Sequence, residues 1–490
     1  MTPLRYRTAL DRRALLLGSG TVLGTSLLSP RGVAASVPVS PLMTTLSGYM
    51  AAAGDQALPE EVVEKAKHHI LDTFAAMISG SELPPAQAAL KFARDYAGDT
   101  TATIAASKLT ANPMEAALVN GMLAHSDETD DSNEFSQSHP GCAVIPAALA
   151  VGEKFGADGT RFLRAVTLGY DIGPRVTISF GVVQFRNTSH KATHSIAGIF
   201  AAAAAAGSLA RLDPQQMRWL LDYTSQQSSG IGAWARDTSH IEKSFVFAGM
   251  PARGGVTAAL AVQSGFTGVD DIFSGPDNYF EAYAPDARPQ EMVEQLGQRF
   301  EIARTNIKKW TVGSPIQAPL DAMSNIFAKR QVSPDEVKTI VVRLAHTEAR
   351  TVNNRDMPDI CLQHMIAVML LDRTASFAAA HDQPRMSDPA VLRQRAKVQL
   401  VEDEELEKLE PARQAIVEIT LNDGTVLRDR VTAVRGTVDN PMPRDEIIRK
   451  ARDLCEPIIG KDQTNALVTR VFALESLDNV RDLRSLLQRS

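Results

Sequence analysis

Apolar residues follow a helical period over most of the chain from residue 58 to about 270. In the first clear stretch they recur every three or four positions, at Val63, Ala66, Ile70, Phe74 and Met77. Pro59 precedes this stretch and Gly80 follows it, which is typical of the two ends of a helix. The pattern therefore predicts one long helix here.

Two further segments predict helices by their end signals and by their composition. Asn112-Pro113-Met114-Glu115 combines an N-cap residue, a first-turn proline and a glutamate, so a helix should start here and run toward His125. Residues 201–206 are all alanine, which predicts a buried helix that its neighbours approach closely. We expect Pro146 to help open the helix after the segment that begins at His125.

The pattern changes to alternating, β-branched segments after Gly265-Phe266-Thr267-Gly268. Predicted strands are Val337–Leu344, Lys397–Val401, Ile416–Leu421 and Thr425–Val431, the last two joined by the hairpin signal Asn422-Asp423-Gly424. A helical period returns from Pro443. The chain is predicted to be mainly α, with a large all-helical domain (42–270), a smaller α+β domain (271–439) and a helical tail (440–490) that packs on the helical domain.

The first 35 residues carry the three parts of an export signal. Arg12 and Arg13 directly precede a moderately apolar run that ends near Leu28, and Val33-Ala34-Ala35 supplies small residues for cleavage. The arginine pair favours the twin-arginine route, whereas glycines in the apolar run weigh against an ordinary amphipathic helix. We therefore expect residues 1–35 to be removed and the remaining protein to act in the periplasm.

Charge and hydropathy limit the classes of partner. The chain has 51 basic and 57 acidic residues, a formal charge of −6 that becomes about −10 without residues 1–35. A protein this acidic is a poor general nucleic-acid binder. Downstream of the signal, no stretch approaches 18 uninterrupted apolar residues, so no membrane span is expected.

The segment from His125 to Gly141 is the richest in potentially catalytic side chains. It begins His125-Ser-Asp127-Glu128-Thr129-Asp130-Asp131-Ser132-Asn133 and ends His139-Pro140-Gly141. Acidic groups beside a histidine can orient its ring and raise its basicity, as a general base requires. The alternative interpretation is a solvated acidic loop of helix-capping residues.

A metal hydrolase is a rival hypothesis. Nitrogen and oxygen ligands could come from His125, Asp127, Asp130, Asp131 and His139. The three cysteines, Cys142, Cys361 and Cys455, lie far apart and form no CxxC pair, which argues against a zinc knuckle, a disulfide framework or an iron–sulfur cluster. No metal and no cofactor are expected.

Several motifs stand in a fixed order along the chain. They are Asn120-Gly121 with His125, Asp130-Asp131-Ser132, His139-Pro140-Gly141, Gly169-Tyr170-Asp171, Gly198-Ile199-Phe200 with the alanine run, Lys243 with Gly249-Met250-Pro251-Ala252-Arg253, Gly265-Phe266-Thr267-Gly268, and Lys308-Lys309-Trp310. Together they resemble the MmgE/PrpD family, which contains 2-methylcitrate dehydratase and cis-aconitate decarboxylase. The resemblance covers about residues 42 to 430.

The resemblance implies a helical domain, an α+β lid domain and an active site between them, usually in a homodimer. It implies a metal-independent lyase of the 2-methylcitrate dehydratase type, a carbon–oxygen lyase that abstracts a proton next to a carboxylate of a small di- or tricarboxylate. Decarboxylation, epimerisation and isomerisation share that first step and stay open. A non-catalytic periplasmic polycarboxylate-binding protein is the alternative from another class.

By position, the resemblance and the surrounding residues select a set of candidate site residues. Catalytic candidates are His139, Lys243, Lys308, His194 and Glu128, and substrate-binding candidates are Asp131, Ser132, Gln317 and Arg253. Glu128 stands where the family has an aspartate, Ser132 where it has a threonine and Gln317 where many members have a histidine. These differences leave the particular substrate open.

The second family histidine falls on Ala192 in this chain. Either His194 or His190 would supply that imidazole from a shifted position, and His194 is favoured because it opens the alanine-rich helix. Five other histidines, His68, His69, His346, His364 and His381, are interpreted as structural or exposed.

Overall fold

The computed structural model describes residues 38–409 and 413–489. The predicted export signal, residues 1–35, lies outside the described residues. The first part of the described chain is mainly helical: α1 (Pro41–Ala52), α2 (Glu60–Gly80), α3 (Pro84–Tyr96), α4 (Pro113–Ala124), α5 (Gly141–Phe155), α6 (Gly159–Ser179), α7 (Val182–Ser189), α8 (Thr193–Leu209), α9 (Pro214–Gln227), α10 (Ile241–Ser244), α11 (Met250–Gln263) and α12 (Tyr279–Tyr283). A short antiparallel pair, β1 (Ala102–Thr103) and β2 (Thr110–Ala111), precedes α4.

A mixed α+β region follows, and helices then close the chain. The region contains α13 (Ser314–Lys329), β3 (Val337–Leu344), α14 (His346–Val352), α15 (Leu362–Asp372), α16 (Phe377–Ala380), α17 (Pro389–Arg395), β4 (Val398–Glu402), α18 (Glu404–Glu407), β5 (Ala415–Leu421) and β6 (Val426–Val431), and the tail contains α19 (Arg444–Ile459), α20 (Lys461–Phe472) and α21 (Arg484–Leu487). The sheet order is β4-β3-β5-β6, with β3 parallel to β4 and antiparallel to β5.

The predicted fold class, mainly α with a smaller α+β part, is confirmed. The hairpin between β5 and β6 turns at Asn422-Asp423-Gly424, where Gly424 has a φ of 89° that suits glycine. The Asn112 side chain accepts hydrogen bonds from the backbone N–H groups of Met114 and Glu115, which caps α4 as predicted. The expectation for Pro146 is wrong, because α5 begins at Gly141 and Pro146 lies inside it.

Buried apolar side chains form two clusters. The first runs from Met43 to Ile307 and resumes from Met442 to Leu487, and the second runs from Trp310 to Val434. The tail helices therefore share a core with the N-terminal helices. Residues 272–307 also contribute to the first cluster, although the predicted boundary near 271 assigns them to the α+β lid domain. The domain bounds therefore stay a prediction.

Among the described residues, one helical stretch, Ile241–Gln263, is long and apolar enough to cross a membrane. Its most apolar window is 56% buried inside the protein. This burial is expected of a core helix in a folded domain. The stretch includes α10, a π-helical turn at Phe245–Gly249, and α11, and it carries Lys243.

Candidate active site

The acidic loop, residues 125–133, follows α4 directly and lies inside the protein. Every residue from His125 to Asp131 is at most 4% exposed. Burying a carboxylate is costly unless it is paired with a charge or a hydrogen-bond donor. The loop is therefore not solvated, and the interpretation as a surface capping loop is wrong.

Asp131 anchors this loop to the surrounding helices. Its Oδ2 lies 2.8 Å from Nδ1 of His69 in α2 and accepts a hydrogen bond from Tyr170 in α6, while its Oδ1 accepts the backbone N–H of Gly141 at 3.0 Å. A Cβ at Gly141 would lie 2.8 Å from Asp131 Oδ2 and 2.6 Å from the hydroxyls of Thr73 and Tyr170. The glycine after His139-Pro140 is thus required for this close approach.

The His139 ring has a fixed tautomer. Its Nδ1 lies 2.7 Å from the carbonyl oxygen of Asp131 and 3.3 Å from Asp130 Oδ1. A carbonyl oxygen only accepts, so Nδ1 carries the proton and Nε2 presents a lone pair. Nε2 has no hydrogen-bond partner among the described residues.

The electrostatic surroundings favour the neutral ring of His139. Burial lowers its pKa, Asp130 opposes that shift, and Lys308 adds to it, so the pKa stays below its ordinary value. A neutral histidine with a free Nε2 at neutral pH has the protonation state that a general base needs.

Glu128 holds two lysines together beside His139. Lys308 Nζ lies 2.8 Å from the backbone carbonyl oxygen of Glu128 and 3.4 Å from its Oε2, and Lys243 Nζ contacts Oε1. Burial would raise the pKa of Glu128, but Lys243 and Lys308 hold it well below the usual value. Two fixed ammonium groups here can bind a substrate carboxylate and stabilise negative charge that develops on it.

Phe247 organises the rings of the site. Its ring centroid lies 4.0 Å from that of His194, 4.9 Å from that of His125 and 5.8 Å from that of His139. Phe247 belongs to the π-helical turn between α10 and α11, and such turns are frequent at functional sites. The turn brings Phe247 and Lys243 to the same site.

The structure brings His194, the first-turn histidine of α8, to His139. Their ring centroids are 5.3 Å apart, and His194 Nδ1 is buried without a hydrogen-bond partner among the described residues. Burial, and then the electrostatic interaction with the neighbouring His139 ring, lowers the pKa of His194 well below its ordinary value. His190 is exposed at the C-terminal end of α7.

The three remaining substrate-binding candidates differ in position. Ser132 and Gln317 line, with Lys308, a cavity of about 20 Å³. The Gln317 amide is already bound to backbone groups, since it accepts the Trp310 N–H at 3.1 Å and donates to the Trp310 carbonyl at 2.7 Å. Arg253 instead pairs with Glu115 at 2.7 Å, and its side chain is 50% exposed.

Two residues that the sequence motifs did not indicate, His240 and Lys450, complete the site. His240 lies three positions before Lys243, and its ring centroid is 5.2 Å from that of His125. Lys450, in α19, lies 2.6 Å from Asp72 and donates to the carbonyl oxygen of Thr129 at 3.0 Å, so the tail supports the acidic loop. Asp237-Thr-Ser before His240 is a turn signal that could have drawn attention to it.

Two clusters among the described residues have the geometry of a metal site. One is His125, Asp130 and Cys142, in which burial raises the pKa of the Cys142 thiol well above its ordinary value and so disfavours the thiolate ligand. The other is His125, Glu128 and His240, whose donor atoms lie within 4.8 Å of one another. Because Glu128 already pairs with Lys243 and Lys308, a cation in this cluster would face two ammonium groups. Charge repulsion therefore favours an anionic ligand.

His381 connects the second core cluster to the acidic loop. Its Nε2 lies 2.9 Å from Asp127 Oδ2, and its Nδ1 lies 2.7 Å from the carbonyl oxygen of Phe377. The Nε2 contact has the distance of an ion pair but not the geometry of a hydrogen bond. Burial would lower the pKa of His381, but the adjacent Asp127 carboxylate raises it to about 9.

This ion pair predicts a pH-dependent stability. A histidine with a raised folded-state pKa stabilises fully below its unfolded pKa near 6.5, and this stabilisation, of the order of 3 kcal/mol, is lost as the pH rises through 9. The free energy of unfolding in urea should therefore fall between pH 6.5 and 9. His381→Gln should flatten that fall.

An exposed pair supplies the control for this prediction. His346 lies 2.5 Å from Glu402 on the surface, and His346→Gln should leave the slope unchanged. Asp359 faces the same pair, and burial raises its pKa to about 7, so its own loss of stability with rising pH runs from about pH 4 to about pH 7 and overlaps only the start of the window. An equal slope in wild type and His381→Gln would contradict the assignment.

Comparison with known proteins accounts for most of the chain. The family model described as the MmgE/PrpD N-terminal domain matches residues 44–292, and the MmgE/PrpD C-terminal domain matches residues 310–474. A cis-aconitate decarboxylase-like protein, oryM, of Aspergillus oryzae is 24% identical over 92% of this chain and 98% of its own length. The cis-aconitate decarboxylase of Aspergillus terreus is 22% identical over 88% of this chain and 92% of its own. That of Homo sapiens is 24% identical over 88% and 91%.

Proposed function

Because the chain belongs to the MmgE/PrpD family, we propose that it is a metal-independent lyase that acts on a small di- or tricarboxylate. The reaction is elimination of water next to a carboxylate, as in 2-methylcitrate dehydratase. The observation that carries the proposal is the free Nε2 of neutral His139 beside the ammonium groups of Lys243 and Lys308.

In this reaction His139 Nε2 takes the proton from the carbon next to a carboxylate. The electron pair of the broken C–H bond delocalises onto that carboxylate, where the two lysines stabilise the enediolate-like charge. The carbon–carbon double bond then forms as the hydroxyl group leaves and takes a proton to become water. The proton that His139 has taken from carbon is the one returned to the leaving hydroxyl, and His194, whose ring lies next to that of His139, is the candidate relay for this second proton transfer.

Decarboxylation is the second candidate, because the relatives named above are cis-aconitate decarboxylases. Here a carbon–carbon bond breaks, CO₂ leaves, and the electron pair stays on the substrate until a proton reaches carbon. The same lysines would stabilise the charge, and a histidine that has first taken a proton from solvent would deliver it to carbon. Dehydration therefore starts from the neutral histidine and decarboxylation from the protonated one, on the same set of residues.

Proton NMR in deuterated buffer tests the proposal. The purified protein would be incubated separately with 2-methylcitrate, citrate and cis-aconitate. Dehydration gives an unsaturated acid from either hydroxy acid, whereas decarboxylation removes CO₂ from cis-aconitate. Deuterium at the carbon next to a carboxylate reports the shared proton transfer even where the net reaction is slow.

A second arm separates the rival functions. Prior dialysis against EDTA should leave the rate unchanged, and loss of the rate with recovery on adding a divalent ion would contradict a metal-independent mechanism. A polycarboxylate-binding protein without activity would bind these acids, with no exchange and no product.

We also propose that the protein is exported to the periplasm through the twin-arginine pathway. The support is the arginine pair Arg12-Arg13 before an apolar run and the small residues at Val33-Ala34-Ala35. Replacing both arginines with lysines should leave the uncleaved precursor in the cytoplasm, measured by fractionation and mass spectrometry. Undiminished recovery of cleaved protein from the periplasm would argue against this route.

We propose in addition that the protein acts as a homodimer, as its family resemblance implies. Light scattering coupled to size-exclusion chromatography would measure the mass in solution. A monomer mass at micromolar concentration would contradict this proposal.

A further inference from the structure

His240 lies at the N-terminal end of α10 in an unusual backbone conformation. Its φ of 63° and ψ of 2° are left-handed, which is uncommon and unfavourable for a residue other than glycine. Such strain persists where surrounding contacts enforce it, often at functional sites. Here Asp237 enforces it.

Asp237 fixes the turn on both sides of His240. Its Oδ1 accepts the backbone N–H of Ser239 at 2.9 Å, and its Oδ2 accepts the backbone N–H of Lys243 at 2.9 Å. The same carboxylate therefore positions His240 and Lys243. The turn directs the two side chains to Glu128, which Lys243 contacts and near which a nitrogen of His240 lies.

The Nε2 atom of His240 is buried and has no hydrogen-bond partner among the described residues. The residue is 4% exposed. A polar atom that is buried without a partner destabilises the protein, because it has lost its hydrogen bonds to water. A ligand that supplied a partner would remove this cost.

The neighbours of His240 indicate the charge of that ligand. A nitrogen of His240 lies within 4.8 Å of a carboxylate oxygen of Glu128 and a nitrogen of His125. Lys243 and Lys308 both contact Glu128, and Lys308 also lies 3.8 Å from Asp130. A ligand carboxylate beside His240 would share these two ammonium groups with Glu128 and Asp130, whereas a free cation would face both ammonium groups.

We propose that His240 contacts the substrate, and that its Nε2–H donates a hydrogen bond to a carboxylate oxygen of a di- or tricarboxylate. The inference deepens the proposed function and rests on it. His240 would hold the carboxylate on which charge develops, next to the two lysines, while His139 transfers the proton.

A neutral imidazole suits this role. Burial, and then the charge of Lys243, lowers the pKa of His240 to about 3, so the ring is neutral at physiological pH. A neutral imidazole can donate a hydrogen bond to a developing oxyanion without giving up its proton. His240 then binds and orients, and takes no part in the acid–base cycle.

Two substitutions at this position distinguish the role of the N–H donor from the role of the left-handed backbone conformation. His240→Phe keeps a ring and removes both nitrogens. His240→Asn restores an N–H donor, and asparagine tolerates the left-handed conformation. His68→Asn is the matched control, because His68 is also buried, has an unpartnered Nδ1 and has a pKa lowered to about 4 by burial, but contacts Glu64 and Phe472.

Steady-state kinetics on the substrate found by NMR would be measured for each variant. His240→Phe should lower kcat/KM by about 10²–10³-fold, as for loss of one oxyanion donor, whereas His240→Asn should stay within about tenfold of wild type. The acid limb of the pH profile should not move in either variant. His68→Asn should change the melting temperature alone.

Binding of tricarballylate, a saturated tricarboxylate, gives a readout that does not depend on turnover. By calorimetry, its Kd should rise about tenfold or more in His240→Phe. If wild type binds it but converts no polycarboxylate, the proposed function fails while this binding test still decides the role of His240. Kinetics and affinity of His240→Phe equal to those of His68→Asn would overturn the inference. Equal losses in His240→Phe and His240→Asn would also overturn it, as would wild-type protein that binds no polycarboxylate.

Discussion

His139→Ala should lower kcat by about 10²–10⁴-fold, the usual contribution of a general acid or base. The His139 Nδ1–H donates a hydrogen bond to the Asp131 carbonyl oxygen, which leaves Nε2 free for a substrate. Removing it takes away the proton acceptor and leaves the lysines and Glu128 in place. Circular dichroism should show a folded protein.

The pH profile adds a second measurement for the same residue. Because burial and Lys308 lower the pKa of His139 despite Asp130, the basic form persists below pH 6.5. Wild-type kcat/KM should therefore stay high until the pH falls below that ordinary value, and then decline. A His139→Ala variant with lost thermal stability but near-normal turnover per folded molecule would refute the assignment as a base.

Lys243→Ala should raise KM and lower kcat together, with a loss of about 10²–10³-fold in kcat/KM. Its ammonium group contacts Glu128 and lies 5.3 Å from the centre of the Phe247 ring and 5.6 Å from that of Trp234. Without this ammonium group, the substrate carboxylate is bound more weakly in the ground state. The loss is larger in the transition state, where additional negative charge develops on that carboxylate. The two kinetic constants therefore change in the same direction.

Lys309→Ala is the control for Lys243→Ala. Lys309 follows Lys308 in the chain, but its side chain is 30% exposed, lies 4.0 Å from Asp321 and stacks on the Trp310 ring. This substitution should leave kcat and KM near wild type. Equal kinetic losses in the two lysine variants would mean that general charge, rather than a defined carboxylate site, is responsible.

The site also explains how so many charges are buried at once. Each carboxylate of the acidic loop has a cationic or hydrogen-bonding partner from outside the loop: Asp127 has His381, Glu128 has two lysines, Asp130 has Lys308, and Asp131 has His69 and Tyr170. Removing one partner would leave a buried charge uncompensated, which costs about 3–5 kcal/mol. Turnover per folded molecule is therefore the proper measure for every variant here.

The sequence by itself determined the local structure. Asn112 and Pro113 start α4, Gly424 turns the hairpin, and the bounds of β3 match Val337–Leu344. These features depend on backbone conformations and side-chain bonds within a few residues, so a single sequence is enough to predict them. The ordered motifs likewise placed Glu128, His139, Lys243 and Lys308 in one site, where the structure shows the lysines on Glu128.

Tertiary structure alone decided which side chains face one another. Glu128 contacts Lys308, which lies 180 positions later in the sequence, and Asp127 contacts His381, which lies beside the second core cluster. A local sequence pattern holds no information about contacts over such separations along the chain. The same packing buries the acidic loop that composition left open to solvent, ties the Gln317 amide to backbone groups, and turns His240 inward. Burial decides each of these outcomes, because it converts a charged or polar residue from a solvated group into one that requires a partner, and the partner comes from a distant element.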